Sequence, residues 1–358
     1  MRAINLKTNH LTAPLGMDAG PLFLSWQCVD GVCQTAYEIE LTANGETVWH
    51  SGKVQSAAVH ADAPTVGGSR VRGCWRVRLW DENDTPGAWS EAHFETGLAQ
   101  SDWQGEWVDP ETEEIDIPGD DAINAFARPN WERKQAEKEA AGKGAAEPYK
   151  PHRPASYLRK TFTAPKGAAR LYITAKGLYA VWLNGVRVGN MVLAPGSFTG
   201  NKHLAAQTYD VTRYLRDGEN ELLVALGDGW HRSTGGVDGD RDLFGDTLGV
   251  LLQLEVNGQA VCVSDGTMQA TQCGPIRQND MQQGEVYDAR FEGNLTGWHG
   301  VRAYRDDLPI TGMNTVPILE HEAFPGKLLQ TPNGETVLDF GQNIAGYVEM
   351  ALTARAGQ

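Results

Sequence analysis

The chain is built of short runs in which apolar and polar residues alternate, punctuated by glycine and by Asn-Gly pairs. In "WRVRLW", 75–80, Trp75, Val77 and Leu79 alternate with Arg76 and Arg78. A period of two puts one set on a packed face and the other in water, so this run is a strand with a solvated arginine face. Runs at 21–26, 37–41 and 93–96 also read as strands. Asn44-Gly45 sits between "YEIELTA" and "ETVWHSG", the signature of a two-residue hairpin. A second group of strands falls at 158–164, 169–175, 179–185, 220–230 and 248–266, with Asn184-Gly185 and Asn257-Gly258 as turns. No long helical period and no fixed repeat is present.

The pattern predicts an all-β chain. Residues 1–98 form an immunoglobulin- or fibronectin-III-like sandwich. Residues 157–305 form a jelly-roll-like β-sandwich. Between them, 99–156 is acidic, then charged and Ala-rich, and reads as a linker or insertion with one short helix. Asn130 is expected to cap that helix, Glu132 to lie in its first turn, and Gly142 and Gly144 to end it. Residues 306–358 read as the start of a further β-domain. There Val348, Met350 and Leu352 alternate with Tyr347, Glu349 and Ala351. Val348, Met350 and Leu352, with Leu338 and Phe340, would normally be covered by a following domain, and in this chain the tail is expected to be disordered, dimer-mediated or folded back on the second sandwich.

Composition narrows the function. The formal net charge of -15 repels phosphate backbones, which argues against a nucleic-acid partner and leaves room for a cation held by carboxylates. No apolar run approaches the roughly 18 residues of a membrane span, and the first residues hold no apolar signal core. Cys28, Cys33, Cys74, Cys262 and Cys273 are odd in number and form no CxxC, which fits reduced thiols and a cytoplasmic location. The histidines show no zinc spacing, no GxSxG elbow occurs, and the glycine pairs lack a nucleotide-binding setting.

Two places carry candidate chemistry. "GDGWHRSTGGVDGDRDLFGD", 227–246, holds Asp228, Asp238, Asp240, Asp242 and Asp246. Asp238, Asp240 and Asp242 alternate on a glycine-loosened loop, and converging carboxylates suit Ca²⁺. The alternative is a solvated acidic turn with an Asp–Arg241 pair; the EF-hand pattern fails for want of a Glu at its twelfth position. Trp230 in the same loop either stacks on a sugar or fills the core. In "GEVYDAR", Glu285 and Asp288 would point to opposite strand faces, a poor acid/base pair, and are expected to bond nearby backbone or Arg290.

Four stretches, "LRKTFTAPKGAARLYITAKGLYAVWLNGVRVGNMVLAPG", "QTYDVTRYLRDGENELLVALGDGW", "GPIRQNDMQQGEVYDAR" and "VLDFGQNIAGYV", together resemble the front half of bacterial α-L-rhamnosidases. The resemblance is clearest from 157 to 348. It implies a parent enzyme that hydrolyses terminal α-L-rhamnosides with inversion, by carboxylates in an (α/α)6 barrel not present in this chain. The chain alone is therefore expected to be inactive, with no catalytic residue of the family to assign. Some family members bind rhamnose through calcium on the second sandwich. That implies a carbohydrate site at Asn201, Trp230 and His231 beside the 197–202 loop. Here Gly200 stands where the family often carries Asp, His231 where it has Tyr, and Ser233 where it has Gly.

Overall fold

The computed structural model describes residues 1–115, 127–142, 153–235, 241–282, 284–351 and 353. Met1–Ile318 form one compact unit and Leu319–Gln358 a second.

The first sandwich is made of β1 (Arg2–Thr8), β2 (Leu15–Met17), β3 (Gly20–Val29), β4 (Ala36–Ala43), β5 (Glu46–His50), β6 (Val54–Gln55), β7 (His60–Val66), β8 (Arg72–Trp80) and β9 (Ser90–Thr96). One sheet has the order β1-β3-β7; the other runs β2-β9-β8-β4-β5, with β6 also on β4. The alternation in β8 is realised: Trp75, Val77 and Leu79 are fully buried against Leu24, Ile39 and Leu41. The indole of Trp75 donates to Thr8 Oγ1 (2.9 Å), so its polar atom enters the core satisfied. On the wet face Arg76 pairs with Glu40 and Arg78 with Glu38 across the β4–β8 ladder.

The second sandwich uses β10 (Trp107–Asp109), β11 (Ser156–Ala164), β12 (Ala169–Lys176), β13 (Leu178–Leu183), β14 (Val186–Arg187), β15 (Leu204–Asp210), β16 (Gly218–Gly227), β17 (Gly249–Val256), β18 (Gln259–Val263), β19 (Gln269–Thr271), β20 (Ile276–Asp280), β21 (Gly284–Tyr287), β22 (His299–Gly300), β23 (Arg302–Tyr304) and β24 (Ile310–Gly312). Its sheets run β23-β10-β17-β12-β15-β24, with β18 on β17, and β14-β13-β16-β11-β19-β22. Leu158, Leu171, Ile173, Val181, Leu222, Val224, Leu252 and Leu254 fill the space between them. Each such side chain contributes about 1.5–3 kcal/mol by leaving water. Every residue of β17 is buried. Its even-numbered apolar residues face this core, Leu251 packs on Trp107 and Ile310, and Glu255 turns toward the first sandwich.

All three Asn-Gly pairs are hairpin turns. Asn44, Asn184 and Asn257 have φ of 51°, 54° and 50°, and the glycines after them 88°, 80° and 79°. Two successive positive φ values define the turn that matches strand twist.

Three expectations change. The 99–156 segment is not all linker, because β10 lies within a sheet of the second sandwich, paired with β17 and β23. The helix spans Ala127–Ala140, so Asn130 lies inside it rather than capping it; Gly142, at φ 66°, follows its end. Gly144 lies outside the described residues. In the second unit Lys327–Gln330 and Thr336–Asp339 form an isolated hairpin, but the alternating run from Tyr347 is not a strand. No neighbouring strand takes its backbone groups among the described residues, and alternation alone does not make a strand without a partner. Leu338, Val348 and Met350 are exposed, Phe340 is half-buried and Leu352 lies outside the described residues.

Candidate functional site

The 227–246 loop leaves β16 and enters a single helical turn, Gly229–Arg232. Asp228 and Arg232 are buried and joined by Arg232 Nε (2.8 Å) and Nη2 (2.6 Å) on Asp228 Oδ1. Arg153 approaches from the segment before β11. Its guanidinium donates to Asp242 Oδ1 (2.7 Å), Glu114 Oε1 (2.7 Å) and the Arg232 carbonyl (3.2 Å). Arg232 Nη1 donates to Thr112 Oγ1 (2.6 Å). Burial lifts the Asp228 carboxyl above its ordinary range, while Arg232 and Arg153 pull it back.

This network decides what Asp242 can do. Its carboxylate is engaged by Arg153 and is not a free cation ligand. Asp238 and Asp240, the other two residues of the expected calcium triad, lie outside the described residues. Among the described residues no group of three or more metal-ligating side chains occurs.

The three expected sugar-binding residues are not equivalent. Asn201 is exposed, Trp230 half-buried and His231 buried. Trp230 and His231 meet Phe198, Gly200 and Phe244 around a hollow of about 10 Å³. That is room for one water, not for a pyranose. Imidazole Nε2 lies 3.1 Å from the Thr247 carbonyl, which assigns Nε2 as the proton-bearing nitrogen. Nδ1 is buried without a partner. Burial, and then the charge of Lys176, push the His231 pKa down to about 4. A Cβ at position 200 would come within 3.0 Å of His231 Nδ1 and 3.3 Å of Phe244 Cβ. The glycine at 200 and the histidine at 231, two departures from the resembled family, are therefore one packing solution.

Glu285 and Asp288 do not cooperate. Asp288 is held by Arg290, through Nε (2.9 Å) and Nη2 (2.5 Å), which draws its carboxyl down to about 2.

A second polar cluster, unforeseen in the sequence, joins the sandwiches. Arg70 binds Glu255 through two 2.7 Å bonds, and Arg170 binds Glu95 through two of 2.9 Å. Arg70 also lies 3.4 Å from Asp102, and Arg170 lies 2.9 Å from Asp210. Strand β2 completes the joint. Gly16, at φ 85°, rests on Thr208 of β15, and Asp18 accepts from the Gly312 amide (2.5 Å) and Asn314 Nδ2 (2.9 Å).

Two β-sandwiches joined by buried arginine–glutamate pairs define the class, an all-β protein that begins with an immunoglobulin-like domain. Residues 165–325 match the α-L-rhamnosidase N-terminal domain, and residues 3–100 match the Rha78A-like N-terminal immunoglobulin domain. The chain belongs to the α-L-rhamnosidase family, of which it carries the N-terminal portion. An α-L-rhamnosidase of Formosa agariphila is 30% identical over 98% of this chain and 39% of its own length. The native α-L-rhamnosidase of Aspergillus terreus superposes with a TM-score of 0.75 at 26% identity, over 96% of this chain and 39% of that one. The α-L-rhamnosidase of Dictyoglumus thermophilum gives 0.71 at 25% identity, with the same coverages of 96% and 39%. The chain thus spans about two fifths of the length of the curated relatives it matches first.

Proposed function

We propose that this chain is the non-catalytic front of an α-L-rhamnosidase, in which its sandwiches buttress the domain that performs hydrolysis of rhamnosides. One observation carries the reading. The buried carboxylates among the described residues are Glu38, Glu95, Asp109, Asp228 and Glu255, and each is paired with an arginine: Arg78, Arg170, Arg302, Arg232 and Arg70 respectively. Inverting hydrolysis needs one protonated acid and one free base on opposite sides of the bond. A carboxylate whose lone pairs are taken by a guanidinium is not free to act as acid or base across a glycosidic bond. Glu95 and Glu255 share a cleft, but both are bound in this way. The expected result is no release of p-nitrophenol from p-nitrophenyl α-L-rhamnoside by the purified chain. Turnover that co-purifies with it through successive columns would falsify the proposal.

A second reading, a sugar-binding module with or without Ca²⁺, is favoured by the half-buried Trp230 and the unpartnered His231 Nδ1 at the 197–202 and 227–246 loops. It requires the small hollow there to open. Calorimetric titration with L-rhamnose, with and without Ca²⁺, tests it; Trp230→Ala must abolish any heat observed.

A further inference from the structure

Beyond the three turns already described, the sequence holds a fourth Asn-Gly pair, Asn333-Gly334. The first three asparagines share a clamp. Each donates its backbone N–H to the carbonyl of a residue outside its own hairpin and accepts that residue's N–H on Oδ1. Asn44 does so with Arg72 at the start of β8 (2.8 and 3.0 Å). Asn184 does so with Glu221 of β16 (2.8 and 3.0 Å). Asn257 does so with Ala168, just before β12 (2.8 and 3.1 Å). Asn184 is held further, because its Nδ2 donates to the Tyr214 carbonyl (2.9 Å) and to Asn220 Oδ1 (2.8 Å).

Asn333 is placed otherwise. It is exposed at the tip of the hairpin in the second unit, whose sheet has two strands, so among the described residues no third strand lies beside it to take a clamp. Thr331 closes this loop instead. It donates its N–H to the Glu335 carbonyl (2.9 Å), accepts the Gly334 N–H on its own carbonyl (2.9 Å) and accepts the Glu335 N–H on Oγ1 (3.1 Å). Every residue of the two strands, Lys327–Gln330 and Thr336–Asp339, is exposed. A lone two-stranded hairpin is marginal in water, and such an element opens at the low end of local unfolding energies.

We propose that Asn333 is a site of spontaneous deamidation, selected by the fold over Asn44, Asn184 and Asn257. In the opened hairpin the Gly334 backbone nitrogen loses its proton to hydroxide and attacks Asn333 Cγ; glycine, lacking Cβ, hinders that approach least. The new C–N bond closes a succinimide ring, the bond from Cγ to the side-chain nitrogen breaks, and that nitrogen leaves as ammonia. Water then opens the ring at one carbonyl or the other, leaving aspartate or isoaspartate. In the three clamped turns the same attack must first break both bonds to the neighbouring strand, which should slow it about thirtyfold. The product places a new carboxylate two residues from Glu335, and isoaspartate also lengthens the backbone at the turn.

The test is peptide mapping by mass spectrometry on the whole chain, incubated at mildly alkaline pH and sampled over weeks. The expected result is that the Asn333 peptide gains the mass of an amide-to-acid exchange and splits into two isomers, at least about tenfold faster than the peptides of Asn44, Asn184 and Asn257. A parallel incubation in concentrated urea removes the fold and keeps the sequence. There all four pairs should react within about threefold of one another, because each is followed by glycine in an open chain. Equal rates at the four sites in the folded chain, a clamped asparagine reacting first, or the same preference for Asn333 persisting in urea would each overturn the proposal.

Discussion

Acid should unfold this chain partly through one imidazole. His231 is 7% exposed and donates from Nε2 to the Thr247 carbonyl, with Nδ1 unpartnered in an apolar hollow. Its pKa falls from 6.5 to about 4, because burial and the nearby Lys176 both disfavour a second proton. A folded-state pKa below the unfolded value contributes stability that is fully present above 6.5 and lost as pH falls through about 4. At about 1.4 kcal/mol per pKa unit, the whole contribution is about 3 kcal/mol. The probe is His231→Gln, whose amide can still donate to Thr247 but does not titrate. Urea unfolding followed by circular dichroism at several pH values between 7 and 4 gives the free energy of each protein. Carboxylate titrations are common to both and cancel in the difference. Relative to His231→Gln, the native chain should lose about 3 kcal/mol across that range. Parallel curves, or an imidazole proton resonance titrating near the ordinary histidine value, would refute the reasoning.

Other perturbations test the packing. Arg232→Leu strands the buried Asp228 carboxylate and should cost about 3–5 kcal/mol in urea unfolding; adding Asp228→Asn should recover a large part, because the uncompensated charge goes with it. Gly16→Ala places a Cβ 1.9 Å from Thr208 Oγ1 on a backbone at φ 85°, so the joint should lose about 3 kcal/mol or more, with partial relief from Thr208→Gly. Gly185→Ala strains a hairpin at φ 80° and should cost about 1 kcal/mol in the same assay. Gly300→Ala meets open space at an ordinary φ and should fall within about 0.5 kcal/mol of the parent.

Hairpins and strand faces were readable from local chemistry. Asn44-Gly45, Asn184-Gly185 and Asn257-Gly258 each specify two positive φ values with little help from the rest of the chain, and all three are hairpin turns. In the 75–80 strand, alternation named Trp75, Val77 and Leu79 as the packed face, and only Trp80 at the strand's end, buried on the arginine side, departs from it. The same cue failed after Tyr347, where alternation is present without a partner strand among the described residues. It also missed Trp107–Asp109, a strand of three residues, too short to show a period.

Sequence alone determined the all-β class, the paired sandwiches and the family, since these rest on periodicity, turn chemistry and ordered motifs within short windows. Tertiary structure alone decided what the charges do. Asp242 read as a cation ligand until Arg153, 89 residues away, took its carboxylate. Arg70 and Glu255 stand 185 residues apart yet lock the two sandwiches together. A carboxylate's role depends on which opposite charge reaches it and how much water is left, and neither is a property of its neighbours along the chain.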